Sequence, residues 1–166
     1  MSPRVPDTMD RGLLELYLND HLSGATAGLS RVQHMVEVDG DLPIHADLSQ
    51  LAVELGEEHD RLRRLIQELG LTQKWYRQLP AKVGEQVGRL KLNRRIFSRS
   101  PMTPVLEVEL LRGAVNAKAG LWELLQEVAP ALDLDPDEWR TLVERAHEQS
   151  ERLSRMHAQV RTLLAS

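Results

Sequence analysis

Four blocks of this chain carry apolar residues at spacings of three and four, a repeat that winds a single buried stripe along an α-helix. In the first block the stripe is Leu14, Leu18, His21, Ala25, Gly28, Val32 and Met35, with Asp7 or Thr8 placed to cap its start and an end near Val38. The second runs from about His45 or Asp47 to Leu69 through Leu48, Leu51, Leu55, Leu62, Leu65 and Ile66, and Gly70 is its natural stop. The third opens with Thr103 as N-cap, Pro104 at the first helical position and Glu107 in the first turn, then carries Val108, Leu111, Val115, Trp122 and Leu125. Asp135 and Pro136 start the fourth, in which Trp139, Ala146, Leu153 and Val160 recur every seven residues, with Val143 and Leu164 beside them. Leu, Val and Ala make up nearly all the apolar content, with a single Phe, which suits helices and argues against a strand-rich architecture.

At 166 residues the chain is long enough for one well-formed core and short for two, so residues 1–8 read as a loose arm and 9–166 as one domain. It has no cysteine, which removes disulfides, thiolate metal sites and thiol nucleophiles together and leaves Asp, Glu and His as the only metal ligands. The start of the chain has no basic segment followed by an apolar block, and no apolar run is long enough to span a bilayer, so a cytoplasmic location away from membranes is expected. Nucleotide-binding glycine loops, serine elbows and His-Glu-x-x-His are all missing, so nothing supports nucleophilic catalysis.

The connections differ in length. Asp39-Gly40-Asp41-Leu42-Pro43 and the stretch from Pro130 to Asp137 are short turns that bring each helix back alongside its predecessor. Between Leu71 and Pro101, by contrast, about thirty residues intervene, enough to travel the length of a bundle, with Val83, Val87 and Leu90 suggesting a short helix on the way. This order of long helix, turn, long helix, long crossover, long helix, turn, long helix resembles the ferritin-like superfamily. The phrase Tyr17-Leu-Asn-Asp-His21-Leu-Ser-Gly-Ala-Thr-Ala-Gly28 is similar to an uncharacterised branch of it. The resemblance implies an all-α, ferritin-like up-down four-helix bundle with a long crossover between helices two and three.

It also implies where metal would sit: active members place a carboxylate on the first helix of each pair and Glu-x-x-His on the second, around two metal ions. In the second half of this chain Glu107 is followed 37 residues later by Glu144-Arg145-Ala146-His147, so the pattern is formally present. In the first half Asp20 is followed 38 residues later by Glu58, but Arg61 stands where the histidine belongs and His59 points about 100° away around the helix. Glu144 and His147 also lie off the apolar line of their helix. The expectation is therefore a non-enzymatic bundle whose di-metal site is lost, binding no cofactor and acting as a binding or assembly protein, as a homo-oligomer or with a protein partner. Its alternative is a carboxylate-bridged di-iron or di-manganese protein for metal oxidation or storage, with Asp20, Glu58, Glu107, Glu144 and His147 as ligands.

Several polar residues fall on the apolar stripes: His21, Glu58, His59, Lys118, Ser150 and His157. A buried Lys118 needs a carboxylate, for which Asp20 and Glu58 are the candidates; otherwise its stem lies on the core and its ammonium reaches water. Gly24 to Gly28 in helix one, and Gly113-Ala114 with Ala117-Lys-Ala-Gly120 in helix three, mean either a tight crossing of those helices or room for a ligand, and tight crossing is the expectation. Finally, residues 74–99 hold eight basic residues against Glu85 alone, a +7 belt that leaves −11 on the rest of a chain of net charge −4. Without a reading element in an acidic protein, nucleic acid is not the expected partner, and the belt suits an acidic surface or, less so, an adaptor role toward an anionic partner.

Overall fold

The structure, a computed structural model, describes residues 3–73, 100 and 102–164. Among these are four long helices, α1 (Arg11–Val38), α2 (His45–Glu68), α3 (Met102–Val128) and α4 (Pro136–Thr162), with a 3-10 turn over Ala129–Leu132 and no strand. None of the helices described is long and apolar enough to cross a membrane. The basic belt, and the short helix expected around Val83, Val87 and Leu90, lie outside the described residues.

Local chemistry sets the helix ends. The cap of α1 is Asp10 rather than Asp7 or Thr8: its Oδ1 accepts the free N–H groups of Gly12 at 2.9 Å and Leu13 at 3.0 Å. At the far end of α2, Gly70 adopts φ +64°, and Leu71 N–H then reaches Ile66 O at 2.9 Å, closing the helix in the left-handed geometry that glycine takes without strain. Helix α3 begins at Met102, just before the expected Thr103, with Ser100 Oγ accepting from Met102 N–H at 3.3 Å. Asp135 caps α4 as its sequence suggests, accepting from Asp137 N–H at 3.0 Å. Arg4, in the expected arm, donates its backbone N–H to Leu132 O at 3.1 Å and pairs with Asp133.

The helices pack most closely as α1 with α2 and α3 with α4, the two pairs joined by short turns. Helices α1 and α3 meet in opposite order, Gly28 against Ala114 and Arg31 with Glu107 at 2.7 Å. Between α2 and α4 the backbones approach at few places, and long side chains span the gap: Arg61 to Glu138, Arg145 to Glu57, and Arg152 to Glu54. Arg61 also lies 4.7 Å from the ring centre of Trp139, which stacks on Trp122 at 5.8 Å, so the cation rests on the face of a buried aromatic pair.

Among the described residues the apolar core is in two parts. One, at the end of the Trp pair, gathers Leu14, Leu18, Leu22, Leu62, Ile66 and Leu125; the other, near the α1–α2 turn, gathers Val32, Met35, Leu48, Leu51, Val108 and Met156. Between them, at the depth of Gly24 to Gly28 on α1, the interior is polar on one side and open on the other. Two leucines of α1 show the difference between core and surface: Leu18 is fully buried, Leu13 65% exposed. Leu18→Ala is expected to lower unfolding free energy by about 2–5 kcal/mol. Leu13→Ala should change it by no more than about 0.5 kcal/mol, with both read from urea denaturation.

Candidate functional site

A cavity of about 300 Å³ opens between α1 and α3, at the break in the core, with α2 as its floor. Its walls are small or apolar: Gly24, Ala25 and Gly28 from α1, Leu55 and Leu62 from α2, and Ala114 and Ala117 among those from α3. Here the structure corrects the expectation of a tight α1–α3 crossing. Of the glycines on these two helices, Gly28 is the one that nears the opposite helix, where an added Cβ would lie 3.9 Å from that of Ala114, while a Cβ on Gly24, Gly113 or Gly120 would meet no atom of the described residues within 4 Å. Small residues on both helices therefore leave space between them, because nothing larger fills the gap that the helix axes define.

Polar groups gather at the same level. Glu58, from α2, is 2% exposed and accepts from the Lys118 ammonium and, at 2.9 Å, from the side-chain amide of Gln149. Lys118, from α3, also donates to the Gln149 carbonyl, so the three side chains from three helices form a closed ring of hydrogen bonds. Gln149 extends it by donating to Glu54 at 3.0 Å, and Glu54 in turn accepts from both terminal nitrogens of Arg152. Burial pulls the Lys118 pKa below its ordinary value, and the neighbouring Glu58 opposes that shift. Glu54 moves down from its usual value: burial pushes it up, but hydrogen bonds from Gln149 and Arg152 outweigh that.

Two histidines line the cavity beside this ring. His59 Nε2 lies 3.0 Å from Thr26 Oγ1, whose own proton is directed to Leu22 O at 2.8 Å, so the imidazole is left to donate to the hydroxyl. His21 meets Tyr17 edge-on, with ring centres 4.6 Å apart. Its burial favours the neutral ring and lowers its pKa, against a weaker opposing pull from Asp20.

The five candidate metal ligands do not meet. Asp20 is exposed at the cavity mouth, Glu58 is held by Lys118, and Glu107 is neutralised by Arg31 at 2.7 Å. Glu144 is exposed, and His147 lies on the outer surface, 3.8 Å from Glu123. The seven-residue line of α4 runs through Ala146 and Leu153, so a Glu-x-x-His at 144 and 147 is turned off the buried stripe. Among the described residues no group of three or more His, Asp or Glu side chains could hold a metal ion. Of the other polar residues on stripes, Ser150 bonds Asn116 at 2.9 Å and His157 bonds Glu109 at 2.9 Å, both between α3 and α4. Sequence reasoning missed Gln149: it stands three residues after Ala146 and four before Leu153 on the buried face, and that position was the available signal.

No protein-family model, curated protein or solved structure matches this chain.

The ring of Glu58, Lys118 and Gln149 makes a directional prediction. Removing one charge strands the other in the interior, so Lys118→Met alone should cost about 3–5 kcal/mol in urea denaturation. Lys118→Met combined with Glu58→Leu and Gln149→Leu removes the polar set together and should recover most of that loss. For His21, a folded pKa below the ordinary 6.5 means that the unfolded chain takes up a proton first as pH falls. Its effect on stability is therefore nil above that value, grows as a loss while pH falls from there toward the folded pKa, and is complete below it. The urea midpoint of wild type should fall more steeply below pH 6.5 than that of His21→Gln.

Proposed function

We propose that this chain is a non-enzymatic, ferritin-like bundle of the cytoplasm in which a buried ion pair stands where a di-metal centre would be, and that it works as a binding protein. The observation that carries the reading is the Lys118 ammonium bonded to Glu58, because a cation fixed on that carboxylate takes up the negative charge that a metal ion would need. Arg61 supports it from the other side. It occupies the position three beyond Glu58 where a histidine ligand is wanted, and its guanidinium is drawn away to Glu138 and the face of Trp139.

The ferritin-like assignment rests on the order of the helices and on the length of the link between them. Helix α1 runs against both α2 and α3 in opposite order, so α2 and α3 run the same way, and the end of α2 and the start of α3 lie at opposite ends of the helices. Exposed Leu13 and Leu16 on α1, and Leu106 and Leu110 on α3, favour a homo-oligomer, since a second copy would cover them.

The alternative, a carboxylate-bridged di-iron or di-manganese protein, needs Asp20, Glu58, Glu107, Glu144 and His147 to converge and two of them to give up their cations. Elemental analysis of protein produced with added iron and manganese separates the readings. The proposal expects far less than one metal ion per chain, and the same content in Glu144→Ala. Stoichiometric metal that disappears in Glu144→Ala would replace this reading with the alternative.

A further inference from the structure

The cavity between α1, α2 and α3 has features that the ion pair does not explain. Its volume of about 300 Å³ corresponds to many water molecules rather than one, each claiming roughly 30 Å³, and lies at the lower end of small-molecule pockets. Gly24 is exposed at its mouth and a Cβ there would touch none of the described residues, so no packing demand among them keeps this position a glycine. Alanine would favour the helix, and glycine instead leaves the mouth one side chain wider. Ala114 and Ala117 do the same from α3, where both are exposed along the opening.

Charge limits what could enter. Lys118 and Glu58 neutralise each other within the lining, so a ligand with net charge would add an uncompensated charge to a poorly solvated interior. Asp20 at the mouth further disfavours anions. Yet the lining is not inert: the Lys118 ammonium has three N–H groups and, among the described residues, spends two of them on Glu58 and Gln149. The third suits a neutral oxygen acceptor.

We propose that this cavity is a binding site for a compact, uncharged, mostly apolar molecule bearing one carbonyl or hydroxyl oxygen, which Lys118 recognises while Leu55, Leu62 and Leu111 enclose the apolar body. The site gives the binding protein of the preceding section its ligand class, and rests on that reading to the extent that the interior holds Lys118 and not metal.

The full chain can be tested with 6-propionyl-2-(dimethylamino)naphthalene, a neutral naphthyl ketone whose emission shifts to the blue in apolar surroundings. One probe per chain should bind with micromolar affinity. The matched naphthalene lacking the ketone, and an anionic naphthalenesulfonate, should each bind about tenfold more weakly. Gly24→Leu combined with Ala117→Leu fills the mouth from two exposed positions, and should abolish binding while the thermal midpoint and helical circular dichroism stay at wild-type values. Should the pair fail to fold, Gly24→Leu alone, which favours the helix, carries the same expectation. Absence of one-to-one binding to wild type, equal binding by the filled variant, or preference for the anionic probe would each overturn the proposal. Stoichiometric metal in elemental analysis overturns the earlier reading instead, so the two failures are told apart.

Discussion

One largely buried cation governs the interior of this bundle. Lys118 sits between two apolar clusters, and the cost of taking its charge out of water is met only because Glu58 and Gln149 reach it from α2 and α4. Such a layer adds little net stability compared with a hydrocarbon one. It does penalise misalignment, since sliding any of the three helices by a turn would leave a charge or an amide unpaired. The ring therefore fixes the relative heights of α2, α3 and α4 in a way that interchangeable leucines would not.

The two sides of the bundle are held together by different means. Between α3 and α4 the helices lie close, with Trp122 stacked on Trp139. Between α2 and α4 they stand further apart, and arginines from both helices cross the gap to Glu54, Glu57 and Glu138. Bridges of this kind are individually weak where water reaches them. Those at Arg61 and Arg152 are better sheltered, and Arg61 gains an aromatic face as well.

The cavity follows from the same geometry. Where Lys118 turns toward α2 and α4, it no longer fills the space toward α1, and the glycines and alanines at that level do not fill it either. Polar ring and open pocket are thus two faces of a single break in the core. A larger residue at 24 or 117 would close the pocket without disturbing the ring, so the two features are separable in principle.

Much of the architecture could be read without coordinates. Helix periodicity is a property of neighbouring residues, and the stripes through Leu18, Leu51, Leu111 and Leu153, the stop at Gly70 and the cap at Asp135 all appear as their local chemistry dictates. The same holds for Lys118, whose place on an apolar stripe called for a carboxylate. What sequence could not decide was anything that depends on the distance between helices. Asp20 and Glu58 were equal candidates until the fold turned one to water and the other inward. Gln149 stands on the buried face of α4, but its partners come from α2 and α3, and only the fold brings them to it. Small residues on α1 and α3 were compatible with contact or with space, because a missing side chain lets two backbones approach but does not compel them to. That choice lies in the spacing of the helix axes, which is set by every packed side chain above and below, and only the tertiary structure records it.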